Sequence, residues 1–74
     1  MKLSEVKSNT EVAVEKINIS RPDVVRRLGE IGIKEGKRIR LIKKSRISKC
    51  VLVETLGAVF ILDFLIAEGI VCNE

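Results

Sequence analysis

Histidine, tryptophan and tyrosine are absent from this sequence, and phenylalanine occurs only at Phe60 and Phe64. The first absence removes the commonest general base and the commonest neutral metal ligand together. The shortage of rings removes the platforms on which single-stranded nucleic acid stacks. Cysteine is scarce as well: Cys50 and Cys72 stand apart, with no CxxC pairing. Two thiols offer two ligands where a structural zinc or iron site takes about four. They are also too few for a disulfide framework. We read both as reduced cysteines in small apolar or edge positions, and expect no metal and no cofactor. The carboxylates show neither EF-hand nor facial-triad spacing.

Catalytic motifs are missing too. There is no nucleophile elbow and no glycine-rich loop leading to Lys-Ser/Thr. Gly29-Glu30-Ile31-Gly32 falls where a helix ends, whereas phosphate loops open one. The sequence points to a binding module, not an enzyme. The longest apolar run, Ala58 to Leu62, is strand-sized and far short of the ~20 residues of a membrane span. Charge, not an apolar segment, follows Met1–Leu3, so the expected location is the cytoplasm.

What remains is aliphatic. Hydrophobic residues make up 46% of the 74, enough to exclude disorder and to fill the core of one domain over residues 1–74. Val12 and Val14 alternate with charges in Glu11 to Ile19, and Ile17 and Ile19 do so one register later. That shift predicts a bulge at Glu15-Lys16. Ser20-Arg21-Pro22-Asp23 reads as a helix start with Ser20 as cap. Val24, Val25, Leu28 and Ile31 share one helical face; Arg26, Arg27 and Glu30 face outward. Gly29 lies within this helix and suggests close approach of a strand. Gly32 is placed to end the helix, and Gly36 to turn the chain.

Strands follow over Lys37–Lys44, Lys49–Thr55 and Ala58–Leu62, separated by a polar hairpin loop and a tight Leu56-Gly57 reversal. Asp63 is a cap for one helical turn, Phe64 to Glu68, and Ile70 to Cys72 forms a last strand. Such an order, mostly β with one short α-helix and a terminal helical turn, closes most simply into a barrel of about five strands. An open α+β sheet with the helix on one face is the alternative.

The formal net charge of +4 is unevenly spread. Lys34 to Lys49 holds eight basic residues against Glu35, and the remainder is net negative. Lys37, Arg38, Arg40, Lys43, Lys44, Arg46 and Lys49 are therefore candidate partner-binding residues. A solvated face and a nucleic-acid surface are the competing readings.

The run Arg27-Leu28-Gly29-Glu30-Ile31-Gly32-Ile33-Lys34-Glu35-Gly36, followed by Ile39, resembles the signature of the FeoA family of bacterial ferrous-iron uptake. Arg27, Leu28, Gly32, Gly36 and Ala67 carry most of the likeness, with Ile70 and Val71 matching its closing positions. The resemblance implies an SH3-like barrel that binds and modulates FeoB, the membrane ferrous-iron transporter, through its cytoplasmic portion. Membrane association would then run through that partner alone. No small-molecule substrate is implied, nucleic acid is disfavoured, and weak self-association stays open. The same module recurs at the C-terminus of DtxR-type metal-dependent repressors, which makes metal-dependent regulation the alternative role; this chain starts at Met1 without their helix-turn-helix. The chain departs from the family in having Asn9-Thr10 and Glu35 where proline is frequent. It departs again in its terminal turn, where Phe64, Leu65 and Ile66 replace polar residues. One turn cannot direct all three inward, so they are candidate contact residues.

Overall fold

Alternation at Glu11-Val12-Ala13-Val14 demands a strand with one buried face. The computed structural model, which describes residues 1–74, forms β1 there (Thr10–Ile17), with Val12 and Val14 buried. The register against the last strand slips between Val14 and Lys16, at the anticipated bulge. Three strands follow as a meander: β2 (Arg38–Ser45), β3 (Cys50–Thr55) and β4 (Ala58–Asp63). The last, β5 (Ile70–Asn73), returns beside β1. The sheet is antiparallel throughout, in the order β4-β3-β2-β1-β5.

A second bulge lies between Leu41 and Lys43 of β2. Bulges bend a strand and increase its twist, and with two of them the sheet wraps around its own inner face. Fourteen buried apolar residues, drawn from all five strands, the segments between them and the segment before β1, form one core cluster. The extents of 27 × 23 × 22 Å are nearly isometric, as wrapping requires. The fold is thus the expected SH3-like barrel, but the ladder stays open between β4 and β5. A short helix, α2 (Phe64–Glu68), packs against β3, β4, β5 and the 3-10 turn Leu3–Glu5. Leu3 and Val6 are buried around that turn.

The one longer helix, α1 (Pro22–Glu30), departs from the sequence reading in three ways. Its N-cap is Arg21, not Ser20, and no side chain caps it; Pro22 opens the helix, and Arg21 instead pairs with Asp23 at 2.7 Å. Of the apolar face only Leu28 is buried, while Val24, Val25 and Ile31 are half-buried. Nothing approaches Gly29: a Cβ there would meet no atom within 4 Å. The close approach is at Gly32, with φ +91°. Ile33 N–H donates to the Leu28 carbonyl at 2.8 Å and Gly32 N–H to that of Gly29 at 3.1 Å. These two bonds make a Schellman ending, and its apolar clasp is the buried pair Leu28 and Ile33. β1 likewise ends at Ile17, short of Ile19, because Asn18 N–H turns to the Gly69 carbonyl at 2.6 Å.

The two glycines should respond oppositely to the same change. At Gly32 a Cβ would sit 2.6 Å from Thr55 Oγ1 and 2.7 Å from Leu56 Cγ, in left-handed backbone. Gly32→Ala should cost roughly 2–3 kcal/mol. Gly29→Ala, in open helix interior, should stabilise by roughly 0.5–1 kcal/mol. Urea denaturation of the two variants measures both; equal shifts of the same sign would refute this account of the helix end.

Candidate functional site

Cross-strand register places Glu11, Arg40, Glu54 and Val59 side by side across β1, β2, β3 and β4. Arg38 Nε contacts Glu11 at 2.5 Å, and Arg40 lies 3.6 Å from Glu11 and 3.9 Å from Glu54. The hydrogen bond from Arg38, aided by both guanidinium charges, holds the Glu11 carboxyl below its ordinary range. Beyond the β2 bulge the side chains change sides. Lys43 opposes Leu52 on the outer face, while Lys44 opposes buried Val51, and its Nζ donates to the Ser4 carbonyl at 3.2 Å. Lys37 lies in the turn before β2; Arg46 and Lys49 lie in the hairpin loop. The basic stretch is therefore not one patch. Arg38 and Arg40 are neutralised, Lys44 braces the 3-10 turn, and Lys43, Arg46 and Lys49 stay exposed without an ion-pair partner.

The apolar surface gathers at the other edge. Leu56 and Gly57 both have positive φ, at 54° and 75°, and make a two-residue turn between Thr55 and Ala58. The closing pair of such a turn is hydrogen-bonded. Alternation then directs the backbone groups of Ala58, Phe60 and Leu62 toward β3, and those of Val59 and Ile61 to the open edge. Val59 and Ile61 are 52% and 70% exposed on the outer face, whereas Leu62 is buried and Phe60 half-buried on the inner one. Between β4 and α1 runs a hollow of about 630 Å³, lined by Val24, Leu28, Ile31, Phe60, Leu62 and Ile66 among others. A second, of about 470 Å³, shares Val24 and Ile66 with it and reaches Leu65. The two form one trough.

At the corner of that trough Asp63 caps α2, its Oδ1 accepting from Leu65 N–H at 2.7 Å, as its position implied. Ala67 is fully buried, Phe64 and Ile66 are half-buried, and Leu65 is 78% exposed. Sequence reasoning singled out the terminal turn but passed over Val59, Ile61 and the trough. The signal available was the uncharged run Ala58 to Leu62, which has no inner layer for one of its faces.

The FeoA domain model matches residues 1–74. The chain belongs to the FeoA family. That family is associated with ferrous-iron transport. The solution structure of a FeoA protein from Chlorobium tepidum superposes with a TM-score of 0.89 at 27% identity, over 99% of this chain and 69% of the other. A FeoA-like protein from Clostridium acetobutylicum gives 0.81 at 23%, over 99% and 84%. A manganese-dependent transcriptional repressor in complex with manganese gives 0.85 at 23%, over 97% of this chain but 36% of the repressor. At those last two identities the likeness is one of fold, and the chain spans about a third of the repressor's length. No curated protein matches the sequence.

The FeoA signature residues now have physical roles. Leu28 and Gly32 build the helix ending, Gly36 turns the chain at φ +87° and donates its N–H to the Val14 carbonyl, and Ala67 is the fully buried residue of α2 in the core. Arg27 is exposed on the rim of the trough. No three of the cysteine, aspartate and glutamate side chains meet in a cluster that could hold a metal ion. No helix is long and apolar enough to cross a membrane.

Both cysteines are free. Cys72 is 1% exposed, and burial pushes its thiol from 9.0 up to about 11. The folded state thus resists ionisation that the unfolded chain allows. Its contribution to stability is whole below pH about 9 and is lost between about 9 and 11. Cys72 should escape alkylation at pH 8 in the native protein and react in denaturant. Cys72→Ala should flatten the loss of stability between pH 9 and 11; rapid native labelling of Cys72 would contradict its burial.

Proposed function

We propose that this FeoA-family chain is a non-catalytic accessory protein that binds the cytoplasmic portion of a FeoB-type ferrous-iron transporter and modulates it by contact. The observation that supports this most is the apolar trough between α1 and β4, continuous with exposed Leu65 and flanked by the open β4 edge. A contiguous apolar surface on a small domain marks an interaction site. An open edge beside a groove accepts an extended segment, whose backbone pairs with Val59 and Ile61 while alternate side chains enter the groove. Leu65 and Ile66 form one end of this surface, with Leu65 presenting the most area, while half-buried Phe64 lies apart from it, in a small hollow with Lys44 and Arg46. The role works inside the cell, and the chain reaches the membrane through its partner.

The repressor likeness favours a second reading, a module of metal-dependent regulation. Both are tested by co-purification with a tagged transporter. Leu65→Lys and Ile61→Lys change solvent-facing positions, so stability should stay within about 1 kcal/mol of the parent. Capture of the transporter should fall about tenfold or more. If both variants fold and bind as before, the trough is not the docking surface. If the parent chain ignores the transporter and co-purifies with a DNA-binding protein, the second reading stands.

A further inference from the structure

The β2–β3 hairpin carries at its apex the most exposed large apolar side chain in the molecule. Ile47, in the loop between Ser45 and Cys50, is 97% exposed. Turn apices favour glycine, asparagine, aspartate and serine; a β-branched apolar residue there serves neither the turn nor the core. The loop is held in shape without it, since Ser48 N–H donates to Ser45 Oγ at 3.1 Å and Lys49 takes a positive φ of 54°.

Charge is graded along the same hairpin. At its base, Arg38 and Arg40 are neutralised by Glu11 and Glu54. Toward the tip, Lys43, Arg46 and Lys49 are exposed and none has a carboxylate within ion-pairing distance. Lys44 is the fourth cation, already bonded to the Ser4 carbonyl. Across the end of the sheet Asp63, opposite Cys50, is engaged in capping Leu65, and Glu68 lines a small hollow with Lys44, Arg46 and Phe64 without pairing either cation. The tip is therefore a convex apolar point ringed by free cations.

We propose that this tip docks on an anionic lipid bilayer, with Ile47 entering the headgroup–acyl boundary and Lys43, Arg46 and Lys49 meeting lipid phosphates. A bilayer surface accepts an apolar point among negative charges without needing a shaped pocket. A protein partner would have to supply a socket of matching shape. A nucleic acid would need a platform of exposed stacking rings, and the tip has none: Phe60 faces the trough, and Phe64, the one ring near the hairpin, is half-buried against the core. Each cation at an anionic surface strengthens binding roughly fivefold, so three supply about a hundredfold over a neutral tip. Like other single weak anchors, the tip would work alongside a protein contact and not replace it. This goes beyond docking on a transporter through the trough, and adds a direct lipid contact to the membrane route that runs through that partner.

The absence of tryptophan makes the test clean. The full chain should sediment with vesicles of phosphatidylglycerol and phosphatidylcholine and stay in solution with phosphatidylcholine alone. Raising the salt should release it. Arg46→Glu with Lys49→Glu should weaken sedimentation by about 25-fold or more, and Ile47→Ser by severalfold, with unchanged thermal melting. In Ile47→Trp the sole indole should shift its emission to the blue on anionic vesicles and be quenched by brominated acyl chains. Solvent-like emission with those vesicles would overturn the proposal. So would charge-swapped variants that sediment normally. If they sediment normally but lose capture of detergent-solubilised transporter, the tip serves an acidic protein surface. If the parent shifts short RNA at physiological salt but not vesicles, it serves nucleic acid.

Discussion

Five strands must curl far enough to enclose one aliphatic core, and the rest of the structure follows from how they do it. A short chain cannot afford a second layer, so the sheet has to be its own lid. Two bulges supply the bend, one on β1 between Val14 and Lys16 and one on β2 between Leu41 and Lys43. The β2 bulge also reverses which side chains face inward. It sends Lys44 under the 3-10 turn while its neighbour Lys43 stays outside. The curl stops short of closure, so β4 keeps a free edge and α2 spans the gap. α1 reaches the core chiefly through Leu28, and the space it leaves against β4 is the trough.

The fold was legible wherever the signal was local and periodic. Alternation found the strands, the register change at Glu15-Lys16 found the first bulge, and Asp63 announced α2. Gly32 announced the end of α1, though the reason it is needed there, Thr55 and Leu56 pressed against it, depends on a strand far along the chain. The failures have a common cause. Ser20 looks like a cap because serine often is one, yet Pro22 fixes the backbone so that Arg21 occupies that position. The β2 bulge is invisible in Arg40-Leu41-Ile42-Lys43-Lys44, because its apolar pair Leu41-Ile42 reads equally well as an ordinary strand. Without the bulge, the seven candidate cations look like one patch.

The candidate site was legible only in part for the same reason. That one of Phe64, Leu65 and Ile66 must be exposed follows from helical geometry, which a sequence contains; that it is Leu65 does not. Exposure of Val59 and Ile61 follows from β4 being an edge, which is a property of the completed sheet. Likewise ion pairing sorts the cations: Glu11 and Glu54 stand far from β2 in sequence and beside it in space. Charge at the base of the hairpin is paired across β1, β2 and β3, and only the remainder lacks a carboxylate partner.

The two ends of the chain meet. The Met1 amino group donates to the Cys72 carbonyl at 2.8 Å, Cys72 N–H returns a bond to Met1 at 2.6 Å, and Lys2 bridges to Val71 in antiparallel sense. Force applied between the ends would therefore load these contacts in series, opening them one at a time like a zipper before any stress reached the β2–β3 core. A load along that axis would peel off the first segment, uncovering Leu3 and Val6, while the central meander remained intact.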